Sequence, residues 1–514
     1  MENALDLTQK ISDLEAKNHL LRQENDFLRE QFNLARHRQF DASSEKASIQ
    51  PSLFNEAEVE CEAQEVASEM VVEEAKSENA SEQAPKKAQP KRKPLPKHLP
   101  RETRVVDIPE AEKVCPCCNG TLHQCGQETS EQLEYIPASV KVIETLRPKY
   151  ACRACEQHNT QTPIKIADVP ASPIPKSMAT ASLLAQVIIQ KYQFALPLYR
   201  QEALFKQLDI ELSRKTLATW MIRCADLFEP VMQCLKDRLL DQKVIHADET
   251  PVKVINDDKQ KSYMWVYCTG TDSPNTSSPH NNIVLYDYHP CRAASCPQHF
   301  LGDYGGYLQV DGYAGYNDLN AELVGCMAHA RRKFVEAQRA QPKGKTGRAD
   351  WAVMHIQKLY RVESTIKDLS SENKLVIRQD KSVPLLNDFK QWLDKTANQV
   401  APKTAIGKAV DYTLRQWSKL VRYCDSGDLA IDNNRAERAI KPFVIGRKNW
   451  LFSNTASGAK ASAILYSLIE TAKANGLDCH AYLTHLLSEL PKKNYDIEAL
   501  MPWCFKPAIK PYQN

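Results

Sequence analysis

The sequence predicts a mixed α/β fold, and three observations carry that reading. Short β-branched or aromatic runs at residues 243–247, 263–269 (YMWVYCT) and 283–287 (IVLYD) follow one another like the strands of an antiparallel meander. A fourth run, residues 307–313 (YLQVDGY), leads into helical periodicity over 314–323, and strand–helix alternation marks a mixed sheet. Residues 341–425 then hold long helical patterns, such as 351–369 and 404–423, with almost no strand signal, so a helical subdomain interrupts the sheet. A chain of 514 residues with 42% hydrophobic content exceeds one core and predicts three or four units.

In chain order, Leu7, Leu14, Leu21 and Leu28 recur every seven residues, with Ile11, Asn18, Asn25 and Phe32 four positions after each. This is an a/d seam over four heptads; Asn at two a positions gives up stability but selects register and a two-stranded coil. Residues 1–46 therefore read as a coiled coil plus a basic segment, making a homodimer or larger assembly through 7–32. A solitary amphipathic helix packed on its own domain is the alternative. Residues 47–104 form a linker, rich in glutamate over 56–82 and then basic and proline-interleaved from Lys86 to Arg104. Few large apolar residues predict disorder, and the basic half suits phosphate contact or simply balances the acidic half.

Within 105–170, Cys115-Pro-Cys-Cys118 and Cys152-Arg-Ala-Cys155 flank a strand-like stretch at 132–150. Two CxxC knuckles supply the tetrahedral thiolates of a structural zinc ribbon, with Cys115, Cys118, Cys152 and Cys155 as ligands. Cys117 and Cys125 are further thiols that could substitute. Residues 176–241 are helical in pattern, with Leu183, Leu184, Val187, Ile188 and Tyr192 on one apolar face. A helix over 199–208, a break at 209–212, and Ser213 as N-cap of a helix over 214–224 resemble a helix-turn-helix. Its second helix would present Arg214, Lys215, Thr216 and Thr219 to DNA while Leu217 and Trp220 pack inward. An ordinary helical hairpin fits the same pattern.

Residues 242–340 and 426–476 make the α/β core around the insertion 341–425, and 477–514 form a C-terminal helical tail. Asp248 stands where the first strand opens, because Pro251 cannot donate to a ladder; Asp311 ends the fourth strand, where Gly312 allows a sharp exit. Glu437 lies in a short helix over 431–442, capped by Asp432 or Asn433 and closed by Pro442. Three carboxylates on separate elements are what two hard divalent cations, Mg²⁺ or Mn²⁺, require for phosphodiester chemistry. Asp432 is the rival for the third ligand; Glu249 reads as a surface carboxylate on the opposite face of the strand, and His246 as framing Asp248. His329, Arg331, Arg332 and Lys441 are candidates for phosphate contact, with a salt-bridged helix face as the plainer reading. Cys326 reads as buried and inert.

HADETP, QVDGYAGYN, CMAHARRKF and DNNRAERAIKP, in this order, resemble the transposases of the insertion-sequence-66 family. The ARHRQFDASSEK segment, the KPLPKHLPRE arm and the CPCC…CRAC knuckles resemble the same family's N-terminal half. The likeness spans residues 1–490, departing in Asp41, where glycine is expected. It implies a ribonuclease-H-like catalytic core with a helical insertion before the last acidic residue. It also implies a DDE triad of Asp248, Asp311 and Glu437, and cleavage and strand transfer at the ends of a mobile element, with possible helper proteins. A catalytically silent zinc-containing DNA-binding regulator and a structure-selective nuclease are the alternatives.

Composition narrows the setting. Net charge is only +3, so the segregated basic segments say more about partners than the sum. No apolar run is long enough to span a membrane, residues 1–10 lack the pattern of a signal peptide, and sixteen scattered cysteines fit a reducing compartment. A cytoplasmic, nucleoid-associated protein is expected.

Overall fold

The computed structural model describes residues 140–150, 165–257, 261–270, 282–341 and 347–506, with scattered positions between 17 and 32. The cysteines expected to ligate zinc and the linker expected at 47–104 lie outside the described residues. The chain divides into two units, 77–170 with 508–514, and 1–76 with 171–507.

In the first unit, β1 (Lys149–Tyr150) pairs antiparallel with β2 (Lys165–Ile166), and Arg147 donates to the Ala167 carbonyl at 2.8 Å. Of the strand expected at 132–150, only these two positions are strand among the described residues. Val142 and Leu146 are 94% and 79% exposed.

The second unit's N-terminal positions Leu21, Asn25, Leu28 and Phe32 are helical, and all four are exposed. Its globular part begins with α1 (Ala181–Tyr192), α2 (Leu198–Lys206) and α3 (Arg214–Leu240). Ser213 caps α3 by accepting from the Thr216 N–H at 3.2 Å. Leu217, Trp220, Cys224, Phe228, Val231 and Leu235 keep helical spacing and are all buried. That apolar stripe carries α3 well past Cys224, where the helix-turn-helix reading ended it, and through Pro230.

A five-stranded mixed sheet follows, in the order β6 (Ile283–His289), β5 (Ser262–Thr269), β3 (Val244–Val252), β7 (Tyr307–Gln309), β8 (Glu322–Val324). β3, β5 and β6 form the expected antiparallel meander, with β4 (Val254–Asn256) between β3 and β5 in sequence. α4 (Ser295–Leu301) leads to β7, which lies parallel to β3, and β8 extends the parallel side. β8 and a single 3-10 turn at Ala314–Tyr316 replace the helix expected over 314–323. β3 does not open at Asp248 as expected but continues to Val252. β7 flanks it only as far as His246, so Pro251 sits where β3 is paired with β5 alone, and an edge tolerates proline.

α5 (Met327–Ala340) leaves β8, and α6 (Arg348–Thr365), α7 (Ser371–Ile377), α8 (Val383–Ala397), α9 (Ala405–Arg415) and α10 (Trp417–Val421) follow. These helices gather around their own apolar core, which includes Phe334, Ile356, Phe389, Val410 and Tyr423. The chain then returns to the sheet with α11 (Asn434–Trp450), β9 (Ser453–Thr455) parallel to β4, α12 (Ala456–Ala474) and α13 (Cys479–Glu489). α11 does not close at Pro442. Ala436, Ala439, Ile440 and Phe443 are buried in the sheet's core, and that packing outweighs the roughly 3 kcal/mol of an interior proline. Among the described residues, no helix is long and apolar enough to cross a membrane.

Candidate active site

The sheet register places the first two carboxylates side by side. His246 on β3 pairs with Gln309 on parallel β7; two residues on from each stand Asp248 and Asp311. Both lie beyond the paired register, Asp311 two residues past the end of β7, and the charge of Asp311 acts on Asp248, so the two carboxylates are neighbours. Asp311 accepts from the Tyr313 N–H at 2.8 Å and Asp248 from the Glu249 N–H at 2.9 Å, which fixes both headgroups.

The third carboxylate arrives on α11, and one asparagine fixes where that helix starts. Asn433 donates from Nδ2 to the Ala247 carbonyl at 2.8 Å, and its Oδ1 lies 3.2 Å from His246 Nδ1. Its backbone N–H points at Cys326 Sγ at 3.2 Å, while the Met327 N–H donates to the Ile431 carbonyl at 3.0 Å. β3, the start of α5 and the start of α11 thus meet at one point. The N-cap is Asn433, without a side-chain cap bond, and not Asp432, the residue before it, whose Oδ1 accepts from the Asn434 N–H at 3.1 Å and whose Oδ2 accepts from the Tyr360 hydroxyl at 2.9 Å. With Asp432 so occupied, Glu437 is the carboxylate left facing the two aspartates.

Glu437 is 3% exposed, and among the described residues neither of its carboxylate oxygens has a hydrogen-bond partner. Arg332 Nη2 stands 3.7 Å and His329 Nδ1 3.6 Å from it, both beyond hydrogen-bond length. Burial pushes the Glu437 carboxyl up to about 7, against the pull of Arg332, with Asp432 and Asp311 adding to the rise. Asp248 is held well above the usual carboxylate range, first by burial and then by Glu249, Asp311 and Glu437. Burial, reinforced by Arg332, lowers His329 to about 4, so its imidazole is neutral at pH 7 and makes no ion pair with Glu437. Asp311 and Glu437 raise the proton affinity of Asp248, and Asp311 that of Glu437, so a cluster in which both Glu437 oxygens lack hydrogen-bond partners among the described residues suits a divalent cation with hard oxygen ligands.

The remaining candidates are placed as follows. Arg332 and Lys441 are half-buried, whereas Arg331 is only 4% exposed and is buried away from any phosphate. Arg214 and Lys215 are exposed on the first turn of α3, and Lys215 lines a cleft with Lys176, Thr219 and Arg223. Cys326 is buried as expected, and burial raises its thiol far above the ordinary range.

Glu249 corrects the sequence reading. It does lie on the opposite face from Asp248, but that face is covered, and its side chain is 2% exposed. Arg292 donates to it from Nε at 2.8 Å, and the Tyr316 hydroxyl does so at 2.8 Å. The Arg292 guanidinium also stacks 3.8 Å over the Tyr313 ring. Glu249 therefore clamps the turn that follows Asp311. Glu249→Ala leaves the buried Tyr316 hydroxyl without an acceptor, and a loss of about 1–3 kcal/mol is expected in denaturant unfolding.

The helical segment adds two residues that sequence reasoning missed. Tyr360 holds Asp432, and a Cβ on Gly312 would lie 2.7 Å from the Tyr412 hydroxyl. Gly312 is thus needed for close approach of Tyr412 and not for a left-handed turn, since it is not among the residues with positive φ.

Comparison with known families gives four matches along the chain. Residues 176–461 match the Transposase IS66 family, and 112–156 the zinc-finger binding domain of transposase IS66. Residues 467–503 match the IS66 C-terminal element, and 27–104 the family described as Transposase C of IS166 homeodomain. The chain is 34% identical over 418 residues to uncharacterized protein y4jD of Sinorhizobium fredii (strain NBRC 101917 / NGR234), covering 78% of this chain and 80% of that one. It is 32% identical over 429 residues to uncharacterized protein y4hP of the same organism, covering 79% and 76%. No solved structure matches the chain.

Proposed function

The chain belongs to the IS66 family of transposases, and from that premise we propose that it cleaves the ends of an insertion sequence and joins their 3′ ends to target DNA. The observation that carries the reading is that Asp311, beyond the parallel neighbour of the central strand, and Glu437, on a returning helix, both bear on the buried Asp248, while the Glu437 oxygens lack hydrogen-bond partners among the described residues. We read the mixed five-stranded sheet as a ribonuclease-H-like core, 242–340 with 426–476, interrupted by a helical insertion at 341–425.

Asp248, Asp311 and Glu437 would hold two Mg²⁺ or Mn²⁺ ions, which when bound supply the activated water or 3′ hydroxyl and offset charge on the leaving oxygen. The protein's own contribution is preorganisation. The Asn433 staple and the Glu249 clamp keep the three carboxylates at fixed separation before DNA arrives. Arg332 lies beside Glu437, where its guanidinium can hold a flanking phosphate. Arg331 is left out of that role by its burial.

The other parts serve DNA pairing in this reading. Cys115, Cys118, Cys152 and Cys155 hold a structural zinc, and the 7–32 seam pairs two chains, consistent with the solvent-facing Leu21, Leu28 and Phe32. Arg214 and Lys215 on α3 contact element-end phosphates together with Lys441 on α11. Replacing Arg214 and Lys215 with Ala should weaken DNA binding roughly equally for all sequences and reduce the salt slope by about 1 to 2. A titration at several salt concentrations that shows an unchanged slope removes α3 from the interface.

The test of the whole reading is strand transfer of labelled element-end DNA by the full chain with Mg²⁺ or Mn²⁺. Cleavage and joining by the wild type, lost in Asp311→Ala, is expected. Equal activity in the variant overturns the assignment, and cleavage without joining favours the nuclease.

A further inference from the structure

We propose that Cys326, His329 and Glu437 form a second zinc site, one that shares Glu437 with the carboxylate cluster. The three side chains each offer one ligand atom, and these atoms lie within 4.8 Å of one another. Cys326 immediately precedes α5 and His329 is its third residue, so a Cys-x-x-His spacing sets sulfur and imidazole over one helix end. That is the local arrangement by which a single turn presents two zinc ligands. Glu437 completes the set from α11.

The vacant bonding capacity of these atoms points the same way. Among the described residues, His329 Nδ1 and both Glu437 oxygens are buried without hydrogen-bond partners. Buried polar atoms in a folded protein are ordinarily satisfied, and one cation held between His329 and Glu437 would satisfy atoms of both. Ligands of one tetrahedral zinc stand roughly 3.3–3.8 Å apart, given metal–ligand lengths of about 2.0–2.3 Å. His329 Nδ1 and Glu437 Oε1 are already 3.6 Å apart. The sulfur lies within 4.8 Å of both, and the Asn433 N–H directed at Cys326 Sγ lies where it can support a thiolate.

Donor chemistry sets which cation enters. Asp248 and Asp311 offer only oxygen and suit Mg²⁺, whereas a thiolate with an imidazole selects Zn²⁺ or Co²⁺. On binding, the Cys326 S–H proton is released to solvent and a metal–sulfur bond forms. Zinc held there engages a Glu437 oxygen that the Mg²⁺ arrangement needs, so zinc and Mg²⁺-supported strand transfer compete. This consequence rests on the functional reading above; the site itself does not.

The test uses the full-length protein, with its ribbon zinc, as wild type, Cys326→Ser and His329→Asn. Zinc per chain is counted by native mass spectrometry under equal free Zn²⁺. The wild type should carry one zinc more than either variant. The Co²⁺ form of the wild type should show a thiolate charge-transfer band in its difference spectrum against Cys326→Ser, the ribbon's own bands cancelling. Equal zinc content in folded wild type and variants, judged by circular dichroism, overturns the site. Unaltered Mg²⁺-supported strand transfer when the extra zinc is bound overturns the competition but leaves the counted site standing.

Discussion

Asp248→Asn is expected to lower end cleavage and strand transfer by roughly a thousandfold or more, about 4 kcal/mol of barrier, without loss of fold. The asparagine is isosteric and its Oδ1 can still accept the Glu249 N–H that positions Asp248. The negative charge disappears, and with it the central member of the cluster, since Asp248 alone lies on the strand between β5 and β7. Burial, Glu249, Asp311 and Glu437 all oppose ionisation of Asp248 in the absence of a cation. The variant should therefore be at least as heat-stable as the wild type in buffer without Mg²⁺, while calorimetric titration shows weaker Mn²⁺ binding. An inactive but unfolded variant would assign Asp248 a structural role. A folded variant with wild-type strand transfer would remove it from the chemistry.

The sequence disclosed the aspartates more readily than the contacts around them. Asp248 and Asp311 are legible because each follows a short run of β-branched, aromatic or other apolar residues, and local alternation survives into the fold. Glu249 was misread although its face was deduced correctly. Whether that face is wet depends on Tyr316 and Arg292, residues 67 and 43 positions away. The Asn433 staple spans 186 residues to Ala247, and Tyr360 reaches 72 residues to Asp432; no periodicity reports such contacts. Proline misled twice for one reason. Pro251 and Pro442 signal interruption locally, but an open strand edge and a well-packed helix face absorb them. The short β8 was missed because three residues give too little alternation to outweigh the helical appearance of the segment before it.

Glu437→Gln should abolish strand transfer and yet raise the melting temperature of the protein in Mg²⁺-free buffer. The sign follows from the raised proton affinity of Glu437, from the ordinary 4.5 to about 7. A carboxyl raised in the folded state favours folding while protonated. That contribution is complete below about 4.5, declines between about 4.5 and 7, and is absent above. At neutral pH the gap corresponds to roughly 3 kcal/mol against the folded state. Glutamine removes the buried charge, but its amide meets the same shortage of partners, at about 1–3 kcal/mol, so a net gain on the order of 1 kcal/mol remains. Mg²⁺ should reverse the order, since a cation bound only by the folded wild type stabilises it by mass action and the variant lacks the ligand. Thermal unfolding with and without Mg²⁺, at pH 5 and pH 8, reads all of this in one series. The gain in the variant should be larger at pH 8, where the wild-type carboxyl would otherwise be ionised. A variant less stable than wild type at pH 8 without Mg²⁺ would mean that Glu437 is held by its neighbours as a structural carboxylate, and the cation would then have to be sought on Asp248 and Asp311 alone.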